Sequence, residues 1–469
     1  MLYFKVPPVE QTSQKKSQPT VLQNLDKFDL KLVETYFKLG KAHLKRKDYT
    51  QAIQNFDNVL RLDPNNIKAY LIRGYTYGEI KKFEQEIADY TEAINLAPAL
   101  ATAYRSRGYA YGVLQNYLQA IADLSQALEL NSDYAQAYYN RACIYDILGR
   151  YELAIADFSQ VIRCDANHCE AYFHRGCIYQ ALTDHHQAIG DFSAVICRDR
   201  NHQEAYRKRG ESNFSLEDYH QAVIDYSQAA LLDPQDWQLV YRQGDSYRQL
   251  KDYGSALASY SEVIQMQPKL PSIYRDRGFI YGQLKDFAGA IADYTTAIKL
   301  DAKNVEAYYH RGNAHSFLGE YQQAIADYTK CLSLNKNYSQ AYFNRGVTCS
   351  ALGQYHQAIA DYEQAIALKP QSPEAYNNRG IAYQQLKEHQ QAITDYTQAI
   401  LFHPNYTEAY YNRGLLYQSL HKQRKSLQDL TVAETLSKKY GNMKLAEICS
   451  VKIQQLSSPD SEDRPDFTK

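Results

Sequence analysis

The chain has 469 residues and carries 52 basic against 53 acidic side chains, a formal net charge of −1. That balance supplies no bulk field toward nucleic-acid phosphates or anionic lipid, which sets both aside as main partners. No stretch nears the ~18 apolar residues of a membrane span. The eight cysteines are too scattered for a disulfide framework, so a cytoplasmic location is expected.

Residues 1–32 form a leader. Up to Val21 it is rich in Gln, Lys, Ser and Pro, a composition expected to be disordered at first. Its short Met1–Val6 apolar run is cut by Pro7-Pro8 and is no signal peptide. Leu22 to Leu32 is expected to form a short helix leading inward.

From Val33 to Tyr440 the sequence repeats every 34 residues without insertion or deletion. The pair Arg73-Gly74 recurs through Arg107-Gly108 and Arg311-Gly312 to Arg413-Gly414, with Arg141-Ala142 and Gln243-Gly244 in the same register. Twelve frames result: 33–66, 67–100, 101–134, 135–168, 169–202, 203–236, 237–270, 271–304, 305–338, 339–372, 373–406 and 407–440. A period of this length marks stacked supersecondary units rather than one closed globule.

The ninth frame shows what each unit is. Ala307, Tyr308, Gly312, His315 and Leu318 recur at three- and four-residue spacing, the stripe of an amphipathic helix. Gly319 interrupts it, and a second stripe runs through Tyr321, Ala324, Ile325, Tyr328, Cys331 and Leu332 until Asn335-Lys336-Asn337. Each unit is therefore a hairpin of helix A and helix B. The glycine of each Arg-Gly pair would cost about 1 kcal/mol in mid-helix, so its recurrence implies close packing of the two helices.

The repeat also compares itself. Ten frames hold Arg before that position, and the same ten hold Asp in helix B, from Asp89 to Asp429. The first frame has Leu39 with Asn55 and the seventh Gln243 with Ser259. Loss of both partners within one frame predicts an Arg–Asp pair inside each hairpin. In the twelfth frame Gln423, Ser426 and Leu430 replace the usual residues of helix B. Residues 441–457 then read as a capping helix, with Met443, Leu445, Ala446, Ile448, Val451 and Ile453 available for packing. Residues 458–469 are an acidic tail, expected to be disordered.

These residues define a resemblance. Large residue, Gly, Tyr, Ala, aromatic, Ala and Pro at a 34-residue phase resemble the tetratricopeptide repeat (TPR) family, in its long bacterial, cyanobacterial-like arrays. The resemblance implies an all-α fold, a right-handed α-solenoid superhelix of about twelve helix-turn-helix units, with helix A lining a concave inner face. It also implies a non-catalytic scaffold that binds extended segments of other proteins there.

Positions 2, 5, 6, 9, 12 and 13 of helix A point away from helix B and line that face. Position 6 is Asn344, Asn378 and Asn412 in three successive frames, with Asn377 adjacent. An amide both donates and accepts, so this ladder is expected to pair with a peptide backbone. Aromatic Tyr309, Phe343 and Tyr411 flank it, and His310 and Asn313 complete the expected site. Of the basic clamp that some family members use for acidic C-termini, only Asn313 stands in place. A secondary basic patch, Arg207, Lys208, Arg242, Arg248 and Arg275, is suited to acidic segments.

No phosphate-binding, nucleophile-elbow or zinc-protease motif occurs, and the repeats leave little room for a catalytic domain. No enzyme activity and no cofactor are expected. The cysteines and histidines of the fourth and fifth frames, Cys143, Cys164, His168, Cys169, His174, Cys177 and Cys197, are not spaced to converge on a metal. Small buried cysteines filling core positions are expected instead. Two alternatives remain: a self-associating array, and RNA binding of the helical-hairpin kind. Glu34, Glu170, Glu204, Glu306, Glu374 and Glu408 on the inner face argue against the second.

Overall fold

The computed structural model describes residues 27–457, among which there are twenty-five α-helices and no strand. The chain divides into two compact bodies, residues 1–234 and 235–469. Both are built by one rule. In the first, helix pairs run from Lys27–Lys45 with Tyr49–Leu62 to Gln203–Ser215 with Tyr219–Leu232. In the second they run from Trp237–Gln249 with Tyr253–Met266 to Thr407–Ser419 with Gln423–Lys439, followed by the single helix Met443–Ser457. Each helix A packs most extensively on its own helix B, and within a body each helix B packs on the next helix A. The result is an all-α solenoid of paired helices.

The hairpins close because their helices touch at the repeat's small residues. A Cβ on Gly346 would lie 2.8 Å from Cε1 of Tyr362, so only glycine lets the ring seat there. Tyr260, Tyr328, Tyr362 and Tyr396 fill this place in the second body and are essentially fully buried. The turn between the helices needs one residue in the left-handed region. Glycine takes it at Gly149, Gly319 and Gly353, whereas Lys81, Thr183, Lys285 and others adopt it without that freedom.

All ten expected Arg–Asp pairs form within their own hairpins. Each guanidinium grips its carboxylate through Nε and Nη2, as in Arg345 to Asp361 at 2.9 and 2.6 Å. The aspartates are buried, and most of the guanidiniums lie over a helix-A tyrosine, Arg345 at 5.7 Å from the Tyr342 ring centre. One feature is absent from the sequence reading. The remaining Nη1 usually reaches back to a hydroxyl of the preceding helix B, as from Arg141 to Ser125 and from Arg311 to Thr295. Arg73 bonds Asp57 in the same way. The arginine therefore ties two hairpins together as well as closing its own.

Three points extend or correct these expectations. The expected leader helix continues without a break into the first frame, as one helix from Lys27 to Lys45. No Pro or Gly stands between Lys27 and Val33 to stop it. The start of the expected leader helix at Leu22, the expected disorder at the N-terminus and the tail 458–469 lie outside the described residues. On the final helix, Ala446 and Cys449 are the buried contacts, while Met443, Ile448 and Val451 are exposed. The small residues face helix B of the twelfth unit because close approach requires them. Third, Cys164 and Cys197 are exposed rather than core-filling, since both lie at the last turn of their B helices.

Candidate functional site

The inner face, the side of helix A turned away from helix B, is best developed in the second body. In the ninth and tenth units, Asn344 Nδ2 donates to Asn313 Oδ1 at 2.9 Å and to Tyr309 Oη at 3.1 Å. Tyr328 Oη donates to the same Asn313 oxygen at 2.8 Å. In the last two units Asn412 Nδ2 donates to Asn377 Oδ1 at 3.0 Å, and Asn377 Nδ2 to Asn378 Oδ1 at 3.3 Å. The expected ladder is therefore two clusters of mutually bonded amides. Both N–H groups of Asn344 are used, so its carbonyl is what it offers outward.

The other expected site residues divide. Phe343 packs edgewise on the core Tyr362, ring centres 5.9 Å apart, and belongs partly to the core. His310 stacks on Tyr294 at 5.8 Å, and burial holds its pKa below the ordinary value, so it is neutral near pH 7. Tyr309 is held by Tyr338 at 4.8 Å. Tyr411, by contrast, lines open space.

That space is a cleft of about 470 Å³, lined by Asn377, Ile381, Glu408, Tyr411, Asn412, by Asn442 just before the final helix and by Lys444, Leu445 and Ile448 on it. Three sequence-selected residues thus meet Leu445 and Ile448, which periodicity had marked only for packing, and Asn442 and Lys444, which it had not marked. The missing signal was the partner: a helix following the last pair presents its first turns to the inner face of the two units before it. The lining joins apolar surface to a few amides and charges, the usual composition of a recognition site.

The basic residues do not form an uncompensated surface within either body. In the first, Arg207 is bonded to Glu204 and Lys208 Nζ lies 3.0 Å from Glu211. In the second, Arg248 and Arg242 share Asp245 at 3.3 and 3.8 Å. Arg275 bridges Asp276 at 2.9 Å and Glu306 at 3.0 Å. Asp245 also accepts from Tyr260 Oη at 2.9 Å, a polar network in the one later unit without the Arg–Asp pair.

Among the described residues no group of three His, Cys, Asp or Glu side chains is arranged to hold a metal. Cys143 and Cys177 have thiol pKa values pushed up to about 12 by burial, which makes them poor nucleophiles. No described helix is long and apolar enough to cross a membrane.

One buried helix-B residue beneath the inner face stands out from its column of the repeat. Where ten frames carry Ala and the twelfth carries Ser426, the second carries Glu86. This side chain is 5% exposed, and its Oε2 has no hydrogen-bond partner.

Comparison with known proteins agrees with the fold. Models described as tetratricopeptide repeat match residues 33–66, 67–100, 135–168, 214–271, 243–308, 305–338, 327–360 and 373–406. One described as TPR repeat matches 348–387. No curated protein matches the chain. Among solved structures, the MamA protein is 27% identical, with 35% of this chain and 91% of that chain covered and a TM-score of 0.35. The Cut9–Hcn1 hetero-tetramer of the APC/C is 15% identical over 91% of this chain and 96% of that chain, with a TM-score of 0.40. YrrB, described as a TPR protein with an unusual peptide-binding site, is 20% identical over 41% of this chain and 97% of that chain, with a TM-score of 0.36. The paired helices and the repeat matches across most of the array lead to one conclusion: the chain belongs to the tetratricopeptide repeat family, whose fold is typically a non-catalytic scaffold for protein–protein interaction.

Proposed function

We propose that this scaffold holds an extended segment of another protein against the inner faces of its last units, anchored in the cleft beside the final helix. The carrying observation is the lining itself, where Ile381, Tyr411, Leu445 and Ile448 stand next to Asn412, Asn442, Glu408 and Lys444. An apolar side chain of the segment enters between Tyr411 and Leu445 and supplies most of the affinity. The amides orient its backbone through their remaining groups, one N–H and the carbonyl of Asn412 and the carbonyl of Asn344. This differs from a free amide ladder, because most of those donors are already used between units. The anchor is aromatic and aliphatic, in keeping with how few residues dominate most interfaces.

The test is selection of peptides from a random twelve-residue library on the full chain, followed by calorimetric titration of the winners. Tyr411→Ala and Leu445→Ala are expected to weaken binding about tenfold or more each, since each removes about 1.5–3 kcal/mol of buried apolar contact. Asn412→Ala is expected to weaken it less. Winners that bind both apolar variants as tightly as the parent chain would remove the cleft from this role.

A further inference from the structure

Glu86 stands where the other frames put the alanine that lets helices A and B touch. Its carboxyl fits because Gly78, on helix A of the same unit, has no side chain. A Cβ there would lie 2.7 Å from Glu86 Oε2. Gly78 occupies position 12, an inner-face position, so the carboxyl lies one glycine beneath that surface. Tyr75 and Tyr109 take position 9 in the second and third units, both half-buried.

The nearest cation does not neutralise this carboxyl. Arg105 is directed to Tyr134, with Nε 3.1 Å from its hydroxyl and the guanidinium 5.9 Å from the ring centre. A second inner-face group is also unpaired. Asn140, 2% exposed, accepts from Gln136 through Oδ1, but its Nδ2 donates to nothing. Asn140 is the fourth unit's equivalent of Asn344, whose amide reaches the preceding helix A at Asn313 and Tyr309. The same register sets Asn140 toward Tyr109 and Arg105. A carboxyl oxygen and an amide N–H thus approach helix A of the third unit (Ala101–Val113) from either side, each buried without a partner.

Buried polar groups left unpaired cost free energy, and a charged one costs most. A ligand that supplied both partners would recover that cost on binding. The charge nearby sets its sign: Glu79, Asp146 and Glu170 hold inner-face positions of the second to fifth units and Glu86 lies beneath them, against Lys68 and Arg105. Burial and the neighbouring Glu79 push the Glu86 carboxyl up to about 8, with Arg105 opposing, while Tyr90 and Tyr109 are the other titratable groups facing it.

We infer that Glu86 is a subsite for a basic side chain, ammonium or guanidinium, of a protein segment lying on the inner face of the second to fourth units. The cation meets Glu86 Oε2 beside Gly78 and rests against the rings of Tyr75 and Tyr109. The segment's backbone carbonyl accepts from Asn140. This extends the proposed function by naming the chemistry of a second anchor in the other body, and it rests on that reading only for the segment being protein.

The test uses Nα-acetylarginine amide on the full chain, with Nα-acetylglutamine amide as the neutral control, by calorimetry in two buffers of different ionisation enthalpy. Below pH 8 a bound cation must expel the Glu86 proton. The expected result is saturable binding that releases about one proton at pH 7 and tightens about tenfold per pH unit up to pH 8. Glu86→Gln, nearly isosteric, is expected to lose at least about tenfold in affinity, and Asn140→Ala a smaller factor. Binding no stronger than the neutral control, or unchanged in Glu86→Gln, would overturn the assignment. The comparison with the neutral control is read on the parent chain, so the test stands even if a variant misfolds. Tyr411→Ala is expected to leave acetylarginine amide binding unchanged, which separates failure of this subsite from failure of the cleft.

Discussion

Asn140 and Asn344 occupy the same position of the repeat in the fourth and tenth units, yet the NH2 group of one is idle and that of the other fully used. The difference lies one unit upstream. Asn344 faces Asn313 and Tyr309, two oxygens that accept, whereas the equivalents before Asn140 are Tyr109 and Arg105, and Arg105 has only donors and bonds elsewhere. The same contrast governs the carboxylates. Asp361 is gripped by Arg345 at 2.6 and 2.9 Å, while Glu86, equally buried, has an oxygen without any partner. A repeat fixes where side chains go, but whether a buried polar group is satisfied depends on the chemistry of its neighbour in the next copy. Most C-terminal inner-face amide donors are paired with one another, whereas Asn140 Nδ2 and Glu86 Oε2 are not paired.

The strongest way to break this contrast is to neutralise Glu86. Its folded pKa, about 8, lies above the ordinary 4.5. The folded state therefore holds the proton longer than the unfolded one, and stability is greatest below pH 4.5. It falls as pH rises from 4.5 to 8 and is flat above. The loss is on the order of 5 kcal/mol, and Glu86→Gln should abolish that slope in hydrogen exchange of the second hairpin. A slope that persists in the variant would assign the pH dependence elsewhere.

Asp361→Ala should cost about 3 kcal/mol, because it leaves a largely buried guanidinium unpaired. Combining it with Arg345→Gln should recover more than half. Exchange rates of the tenth hairpin's amides report this better than a global melt, since repeat arrays open segment by segment. Equal losses for the single and double variants would show that the pair contributes nothing by pairing.

Gly346→Val should cost about 2 kcal/mol by displacing the Tyr362 ring, measured by the same exchange. The smallest effect separates the two asparagines. Asn344→Ala should cost about 1 kcal/mol, because two bonds between units are lost, whereas Asn140→Ala should stay within about 0.5 kcal/mol. Matching values for the two would mean that Asn140 has a partner in solution.

Much of this was legible in the chain because the chain is its own comparison set. The shared absence of Arg and Asp from the first and seventh frames was enough to locate ten ion pairs inside their hairpins. Glu86 was equally visible, as the one carboxylate in a column of Ala and Ser, yet it draws notice only once Gly78 is known to lie over it. The cleft was less legible. Tyr411 and Asn412 were found by their position on helix A, but Lys444 and Leu445 were not, because no 34-residue copy of the final helix exists to show which of its faces turns inward.

The sequence by itself determined the hairpins, their register, the close approach at glycine and the closed ion pairs, because each depends on contacts within one period and is written many times over. Tertiary structure decided what lies between periods: the reach of each arginine to the preceding hairpin, the self-pairing of the asparagines, the isolation of Glu86 and the cleft beside the final helix. These depend on which side chains two different copies happen to present to each other. Periodicity specifies the meeting place, and only the packed chain specifies the partners.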